Sequence, residues 1–309
     1  MLIASSVEQI KTPTAIALGN FDGIHQGHRT VLQPVIKASH VSSQPHVYSS
    51  VVSFTPHPRE FFSGQKRPLL TPVAEKGEIL ASLGIEQLVL LPFNRDLAAL
   101  SPQEFVEQIL VEQLRTKFIS VGSDFRFGHR RAGTGVDLQQ IAANFGITVN
   151  LSTLRQCQNG DRQTVRVSSS LIRQALGEGR VTEANAMLER PYSLEGTVVT
   201  GQQIGRTIGF PTANLLLPEA KFLPRFGVYA VDVYLQQAVL PGVMNIGCRP
   251  TVAGAAPTIE VHLLNWSGDL YGQSLKVNLL DFLRPEQKFA SVEDLKQQIA
   301  KDCQAALNS

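Results

Sequence analysis

From Thr14 onward, short apolar, β-rich runs alternate with stretches whose apolar residues recur at helical spacing. The runs Thr14 to Gly19, Val47 to Phe54, Ile85 to Leu91, Phe118 to Val121 and Ile147 to Leu151 read as strands, with helices near 27–40, 72–83, 101–113 and 135–145 between them. This alternation predicts an α/β unit built on a parallel sheet covered on both faces. Ser101-Pro102-Gln103-Glu104 supplies an N-cap serine, proline at the first helical position and glutamate at the third, a capping box that fixes one helix start. Pro34 falls inside the first helix pattern, where it removes a hydrogen bond, and the pattern offers no account of it. After about residue 190 the texture changes. Glycine-punctuated strand-like runs at Ser193 to Thr200, Gly227 to Leu235, Gly242 to Ile246, Thr258 to Leu264 and Leu275 to Phe282 suit a small antiparallel β-barrel, closed by a helix near 291–306. The chain therefore divides into 1–186 and 187–309, and no internal repeat is visible.

Composition narrows the classes. At 309 residues, 43% hydrophobic and 17% charged, the chain has material for two buried cores and lacks the signature of disorder. A net charge of +2 with no Lys/Arg stripe argues against a nucleic-acid partner. Cys157, Cys248 and Cys303 are odd in number and widely spaced, which fits neither a disulfide framework nor a zinc site and favours a reducing cytoplasm. The opening MLIASSVEQIK lacks the pattern of a leader, and no window reaches the length of a membrane span.

The first strand ends in GNFDGIHQGH, and a helix follows. Ligands of open α/β sheets collect at the carboxyl ends of strands, and a helix N-terminus offers free N–H groups to phosphate. Gly23 and Gly27 allow close backbone approach, while His25 and His28, three apart, can present two ring donors on one side. Such a pair suits phosphoryl or nucleotidyl transfer, where positioning and charge stabilisation do most of the work. A structural histidine pair, or a metal site, stays open on these residues alone.

The whole string resembles the HxGH signature of the nucleotidyltransferase superfamily and, as FDGxHxGH, its bacterial FAD synthetase branch. Phe54-Thr55-Pro56-His57-Pro58, Gly122-Ser123-Asp124-Phe125-Arg126-Phe127-Gly128 and Arg166-Val167-Ser168-Ser169-Ser170-Leu171-Ile172-Arg173 agree with that family, with Ser170 where threonine is usual. The resemblance implies a Rossmann-like HxGH fold in which Asn20, Phe21, Asp22, Gly23 and Gly27 contact ATP. It further implies that Ser168, Ser169 and Arg173 clamp its phosphates, that Phe54, Pro56, His57, Pro58, Asp124 and Phe125 shape a flavin pocket, and that His25 and His28 are catalytic. Read without it, the serines are an ordinary helix cap and the aromatic string is core.

In the second half, GQQIGRTIGFPTAN (201–214) lacks the Gly-Lys-Ser/Thr of a Walker A loop, and its glycines alone are a weak signal. Thr212 and Asn214 are two apart in an extended segment and share a face, offering two oxygens to a hard cation. Glu260 and His262 share a strand face likewise, and a carboxylate so placed could take the proton of an attacking hydroxyl. Either pair could equally be a solvated strand face. Taken in order, GRTIGFPTAN, Pro224 to Tyr229, Asn245 to Thr251, IEVHLL and Gly268 to Gly272 resemble the riboflavin kinase domain, with Asn265-Trp266 where Asp-Phe is common. That likeness implies ATP contacts at Gly201, Gly205, Arg206, Gly209 and Pro211, Mg²⁺ at Thr212 and Asn214, a general base in Glu260, and flavin contacts at Arg284 and Phe289.

Jointly, the two resemblances point to the prokaryotic bifunctional riboflavin kinase/FAD synthetase family. They imply riboflavin, FMN, FAD and ATP as substrates and products, Mg²⁺ with ATP and no prosthetic group. Oligomeric state stays open. Two rivals are a nucleotidyltransferase for another phosphate ester and a flavin-binding regulator that has lost catalysis.

Overall fold

The computed structural model describes residues 1–41, 45–153, 155–158, 164–201, 204–251 and 254–308, without the side chains of 41, 158, 204, 249–251 and 254–256. Gln202 and Gln203 of the glycine-rich string, and the side chains of Arg249, Pro250 and Thr251, lie outside what is described. The chain divides into two compact units, Met1–Ser169 and Ser170–Ser309.

The first unit runs β1 (Leu2–Ala4), β2 (Thr14–Leu18), α1 (Gln26–Val41), β3 (Tyr48–Thr55), α2 (Pro58–Ser63), α3 (Val73–Ser82), β4 (Gln87–Pro92), α4 (Arg95–Ala99), α5 (Pro102–Glu104) and β5 (Thr116–Gly122). After it come β6 (Arg126–Phe127), β7 (Gly133–Thr134), α6 (Gly135–Ala143), β8 (Thr148–Ser152), β9 (Gln156–Gln158) and β10 (Thr164–Arg166). Six strands form one parallel sheet in the order β1-β4-β3-β2-β5-β8. All five residues of β2 are buried, as a central strand with both faces covered requires. Its residues alternate between two cores. Ala15 and Ala17 pack with Val31, Leu32 and Val35 of α1, whereas Ile16 and Leu18 pack with Phe105, Val106, Ile109, Leu110 and with Leu138 and Ala142 of α6. The chain leaves β2 in one direction towards β3 and β4 and returns on its other side as β5 and β8, so the carboxyl end of β2 opens on the topological switch point.

The five expected strands and four expected helices are present, among further short elements. β1 extends the sheet by one short edge strand. A six-residue helix, α2, follows the second expected strand, capped by His57. The helix expected over 101–113 starts at its capping box, with Ser101 Oγ accepting from the Glu104 N–H at 3.2 Å, but winds as a π-helix over Phe105–Gln113. Pro34 is accommodated without ending α1. The carbonyl it leaves without a helical donor is that of Thr30, and the Ser152 hydroxyl donates to that oxygen at 3.1 Å.

The second unit contains the bulk of α7 (Ser169–Glu178), then α8 (Val181–Leu188), β11 (Tyr192–Val199), α9 (Ile204–Thr207), β12 (Ala213–Leu216), β13 (Gly227–Leu235), β14 (Ala238–Thr251), β15 (Gly254–Leu263), β16 (Ser274–Arg284) and α10 (Val292–Leu307). Its strands close an antiparallel barrel in the order β11-β12-β15-β14-β13-β16. α8 is tied to this barrel: Asn185 Nδ2 donates to Leu279 O at 2.8 Å and Asn185 Oδ1 accepts from the Tyr192 N–H at 2.7 Å. Terminal α10 starts at Ser291, whose hydroxyl accepts from Asp294 N, and buries Ala306 against Val228, Ala230 and Val243.

Two candidate active sites

The first site is a turn. Between β2 and α1, Phe21, Gly23 and Ile24 all take left-handed backbone angles, with φ of 47°, 88° and 43°. Glycine accepts such an angle freely; a β-branched isoleucine does not, and strain of this kind persists only where surroundings impose it. Those surroundings are specific. Asp22 Oδ1 accepts from the Thr71 N–H at 3.1 Å, Gly23 N donates to Thr71 Oγ1 at 2.9 Å, and Ser169 Oγ donates to the Asp22 carbonyl at 2.7 Å. Beneath the turn lies Lys76, 6% exposed, with Nζ donating to the Asn20 carbonyl at 2.8 Å.

His25, also 6% exposed, precedes α1. Its Nδ1 accepts from the His28 N–H at 3.3 Å, which caps the helix and leaves the ring proton on Nε2. The two imidazoles stack with centroids 3.7 Å apart and planes at 17°. Gly27 is where they need room, since a Cβ there would lie 3.2 Å from the His25 ring.

Two further strands bring the expected flavin residues. Phe54, at the end of β3, meets Phe93 edge-on at 5.7 Å, and Phe61 and Phe62 of α2 join the same ring at 5.3 and 5.8 Å. Pro56 and Pro58 bracket His57, whose Nδ1 accepts from the Arg59 N–H at 3.0 Å. Burial, with Arg67 nearby, pushes the His57 pKa below its usual value, so the ring stays a neutral acceptor; the Asp22 carboxylate also reaches it electrostatically. After β5, Asp124 pairs with Arg166 at 2.6 Å, and Phe125 stacks on Phe127 at 5.8 Å. Ser168 precedes α7, and Arg173, one turn into that helix, lies over the Phe222 ring at 5.8 Å in the second unit.

The second site is a strand face. In register across β12, β15 and β14, Asn214 lies opposite Glu260 and Glu260 opposite Asn245. Residues on the alternate positions, Ala213, Leu215, Val261, Met244 and Ile246, are buried. A cavity of about 400 Å³ faces the polar row, with Leu295, Ile299 and Asp302 of α10 on one wall; its walls include Gly205, Thr212, Asn214, Glu260, Arg284 and Phe289. Gly201, Arg206, Gly209 and Pro211 are not among the wall residues. Gly201 instead backs the Asn214 side chain, which a Cβ there would strike, and Pro211 O accepts from His262 Nδ1 at 2.7 Å. Arg284 holds Asp302 of α10 with Nε at 3.0 Å and Nη2 at 2.8 Å, and its guanidinium covers Phe289 at 5.7 Å.

Several contributors stand outside the site residues that the sequence pattern singles out. Thr71 and Lys76 belong to the first site; Asn245, Glu286 and Asp302 line the second. Asn245 could have been found by the alternation that found Glu260. Glu286 occupies the notch that Gly247 leaves, since a Cβ on Gly247 would overlap its carboxylate and come 3.2 Å from Asn245 Nδ2.

Comparison with known proteins finds matches to both halves of the chain. A family model described as FAD synthetase matches residues 7–171, and one described as riboflavin kinase matches 188–309. The bifunctional riboflavin kinase/FMN adenylyltransferase of Escherichia coli K12 is 44% identical over 93% of this chain and 90% of its own length. The proteins of the same description from Pseudomonas fluorescens and Bacillus subtilis are 40% and 34% identical, over 94% and 97% of this chain and 90% and 94% of their own lengths. A solved structure described as a macrolide-efflux protein from Streptococcus pneumoniae superposes with a TM-score of 0.86 at 30% identity, covering 100% of this chain and 99% of that one. Among the described residues no helix is long and apolar enough to cross a membrane. The sequence matches cover both units, and the chain belongs to the bifunctional riboflavin kinase/FMN adenylyltransferase family.

Proposed function

We propose that the family's two reactions divide between the two sites of this chain. The cavity of the second unit transfers the γ-phosphoryl group of ATP to riboflavin, giving FMN and ADP. The turn of the first unit joins FMN to the adenylyl group of a second ATP, giving FAD and pyrophosphate. One observation carries this reading: Asn214, Glu260 and Asn245 form a polar row in strand register on the wall of a cavity, beside the match to riboflavin kinase.

In the kinase site Glu260 accepts the proton of the ribityl 5′-hydroxyl as its oxygen attacks the γ-phosphorus. Thr212 and Asn214 offer a hydroxyl and an amide oxygen beside that carboxylate, an all-oxygen donor set that fits Mg²⁺ shared with ATP phosphates. Mg²⁺, when bound, neutralises phosphate charge. Arg284 and Phe289 provide a cationic and an aromatic surface for the flavin, and the segment carrying Gly201, Gly205, Arg206, Gly209 and Pro211 covers ATP.

In the adenylyltransferase site the nucleophile is already an anion, so no base is required. An FMN phosphate oxygen attacks the α-phosphorus and pyrophosphate leaves. His25, proton on Nε2, and His28 donate to the charge that builds on the phosphoryl oxygens. The N–H groups of Asn20, Phe21, Asp22, Gly23 and Gly27 and the α1 N-terminus receive the nucleotide, while Ser168, Ser169 and Arg173 take the departing phosphates. Phe54, Pro56, His57, Pro58, Asp124 and Phe125 form the flavin wall. The functional division is placed at 186/187, the partners are small molecules rather than nucleic acid or membrane, flavin is substrate rather than prosthetic group, and the compartment is the cytoplasm.

The test is to incubate the full chain with riboflavin, ATP and Mg²⁺ and follow flavins by chromatography. FMN should appear first and FAD after it. Absence of both sinks the reading.

A further inference from the structure

A lysine ammonium enclosed in protein costs more than an apolar side chain of the same size, so its presence asks for a reason. Lys76 is 6% exposed, on α3, a helix that carries none of the residues assigned to substrate. Its Nζ reaches the carbonyl of Asn20 at 2.8 Å, and Ser53 Oγ approaches the same oxygen only at 3.5 Å. Burial pushes the Lys76 pKa down and the Asp22 carboxylate partly restores it. Glu75, 7% exposed, is next to Lys76 in sequence, and His57 shares the field of Asp22.

Asn20 opens the turn in which Phe21, Gly23 and Ile24 are left-handed. Such angles strain Phe21 and Ile24, and the turn holds that shape only through contacts from outside it. Thr71 and Ser169 grip its middle, at Asp22 and Gly23. Lys76 grips its start. Resting on the assignment of this turn to adenylyl transfer, we infer that Lys76 is a positioning residue of that reaction. Through the Asn20 carbonyl and beside Asp22, it keeps the turn's N–H groups and the His25 ring aimed at the nucleotide phosphates, and sets a positive charge beneath them.

The chain contains its own control, because the kinase site shares none of these residues. In Lys76→Met, kcat for FAD formation from FMN falls about 10- to 100-fold, as for other groups that orient a reacting shell. KM for FMN stays within about twofold, since binding and positioning are separate; FMN formation from riboflavin and the melting temperature are unchanged. Lys76→Gln, which keeps a donor for Asn20 but no charge, retains more FAD formation than Lys76→Met. FAD formation equal to the parent's in Lys76→Met overturns the proposal. So does a KM for FMN that rises with the loss of kcat, a Gln variant no better than Met, or a joint fall of both activities and the melting temperature, which marks a packing role. His28→Ala run beside them separates the two levels: FAD formation that survives it refutes the site assignment itself, whereas its loss there with Lys76→Met unaffected refutes only the role of Lys76.

Discussion

The two units of this chain handle phosphate in opposite ways. In the first, the site we propose is a strained turn at the end of a buried strand, and the protein's effort goes into holding backbone: Thr71, Ser169 and Lys76 each bind a main-chain group or the Asp22 carboxylate. In the second, the backbone is ordinary strand. Asn214, Glu260 and Asn245 line up because antiparallel register puts them there, and the alternate residues are barrel core. A backbone device depends on distant supports that touch no substrate. A side-chain device depends on register and on the wall opposite it, here α10.

The largest break in that comparison is Glu260→Ala. Removing a general base costs about 10²- to 10⁴-fold, so FMN formation should collapse while FAD is still made from supplied FMN at the parent's rate. His28→Ala should do the reverse, lowering FAD formation by about 10²- to 10³-fold, as loss of one donor to a developing oxyanion does. Flavin chromatography on both variants, fed either riboflavin or FMN, reads the four rates. If either substitution abolished both reactions in a chain that keeps its melting temperature, the sites would not be separate.

Asp302→Asn sharpens the second half of the contrast. Arg284 and Asp302 have side chains only 17% and 5% exposed, and removing one charge strands the other where water cannot compensate. A cost of roughly 3 kcal/mol is expected for a half-broken buried pair. Because the same pair holds α10 over the cavity, the KM for riboflavin should rise, with FAD formation from FMN unaffected. An unchanged KM would mean that α10 covers the cavity without shaping it.

How much of this was legible in the sequence follows the same division. The side-chain device was mostly readable: Thr212 with Asn214, and Glu260 with His262, follow from a period of two, and the register then supplies Asn245. The backbone device was only half readable. GNFDGIHQGH announces the turn, but its supports come from far along the chain, Thr71 and Lys76 about 50 residues on and Ser169 about 150, and Lys76 looks like any solvated charge on a helix. Asp302 hides in the same way, since an acidic residue on an amphipathic terminal helix reads as solvent-facing until Arg284 is found opposite. The π winding of Phe105–Gln113 had no cue either, because its apolar residues satisfy an ordinary helical period. The strand order, by contrast, was not specified by the pattern, although the parallel sheet was.

Pro34 was the one feature the pattern flagged and could not explain, and its explanation yields the smallest effect. The Ser152 hydroxyl supplies Thr30 with the donor that proline lacks, across 122 residues of sequence. Ser152→Ala should therefore loosen α1 by about 1 kcal/mol, the net worth of one such bond, seen as roughly fivefold faster hydrogen exchange of α1 amides that open locally. In a Pro34→Ala background residue 34 has its own N–H for the Thr30 carbonyl, and Ser152→Ala should cost less than half as much. The remaining share belongs to the contact Ser152 keeps with Asn150, whose Nδ2 donates to its hydroxyl at 2.9 Å. Equal costs in both backgrounds would show that the serine does not stand in for the missing helix bond. Neither change should alter kcat for FAD formation, because Thr30 lies beyond the turn, and that silence would confine the first unit's sensitivity to the supports of Asn20–Ile24.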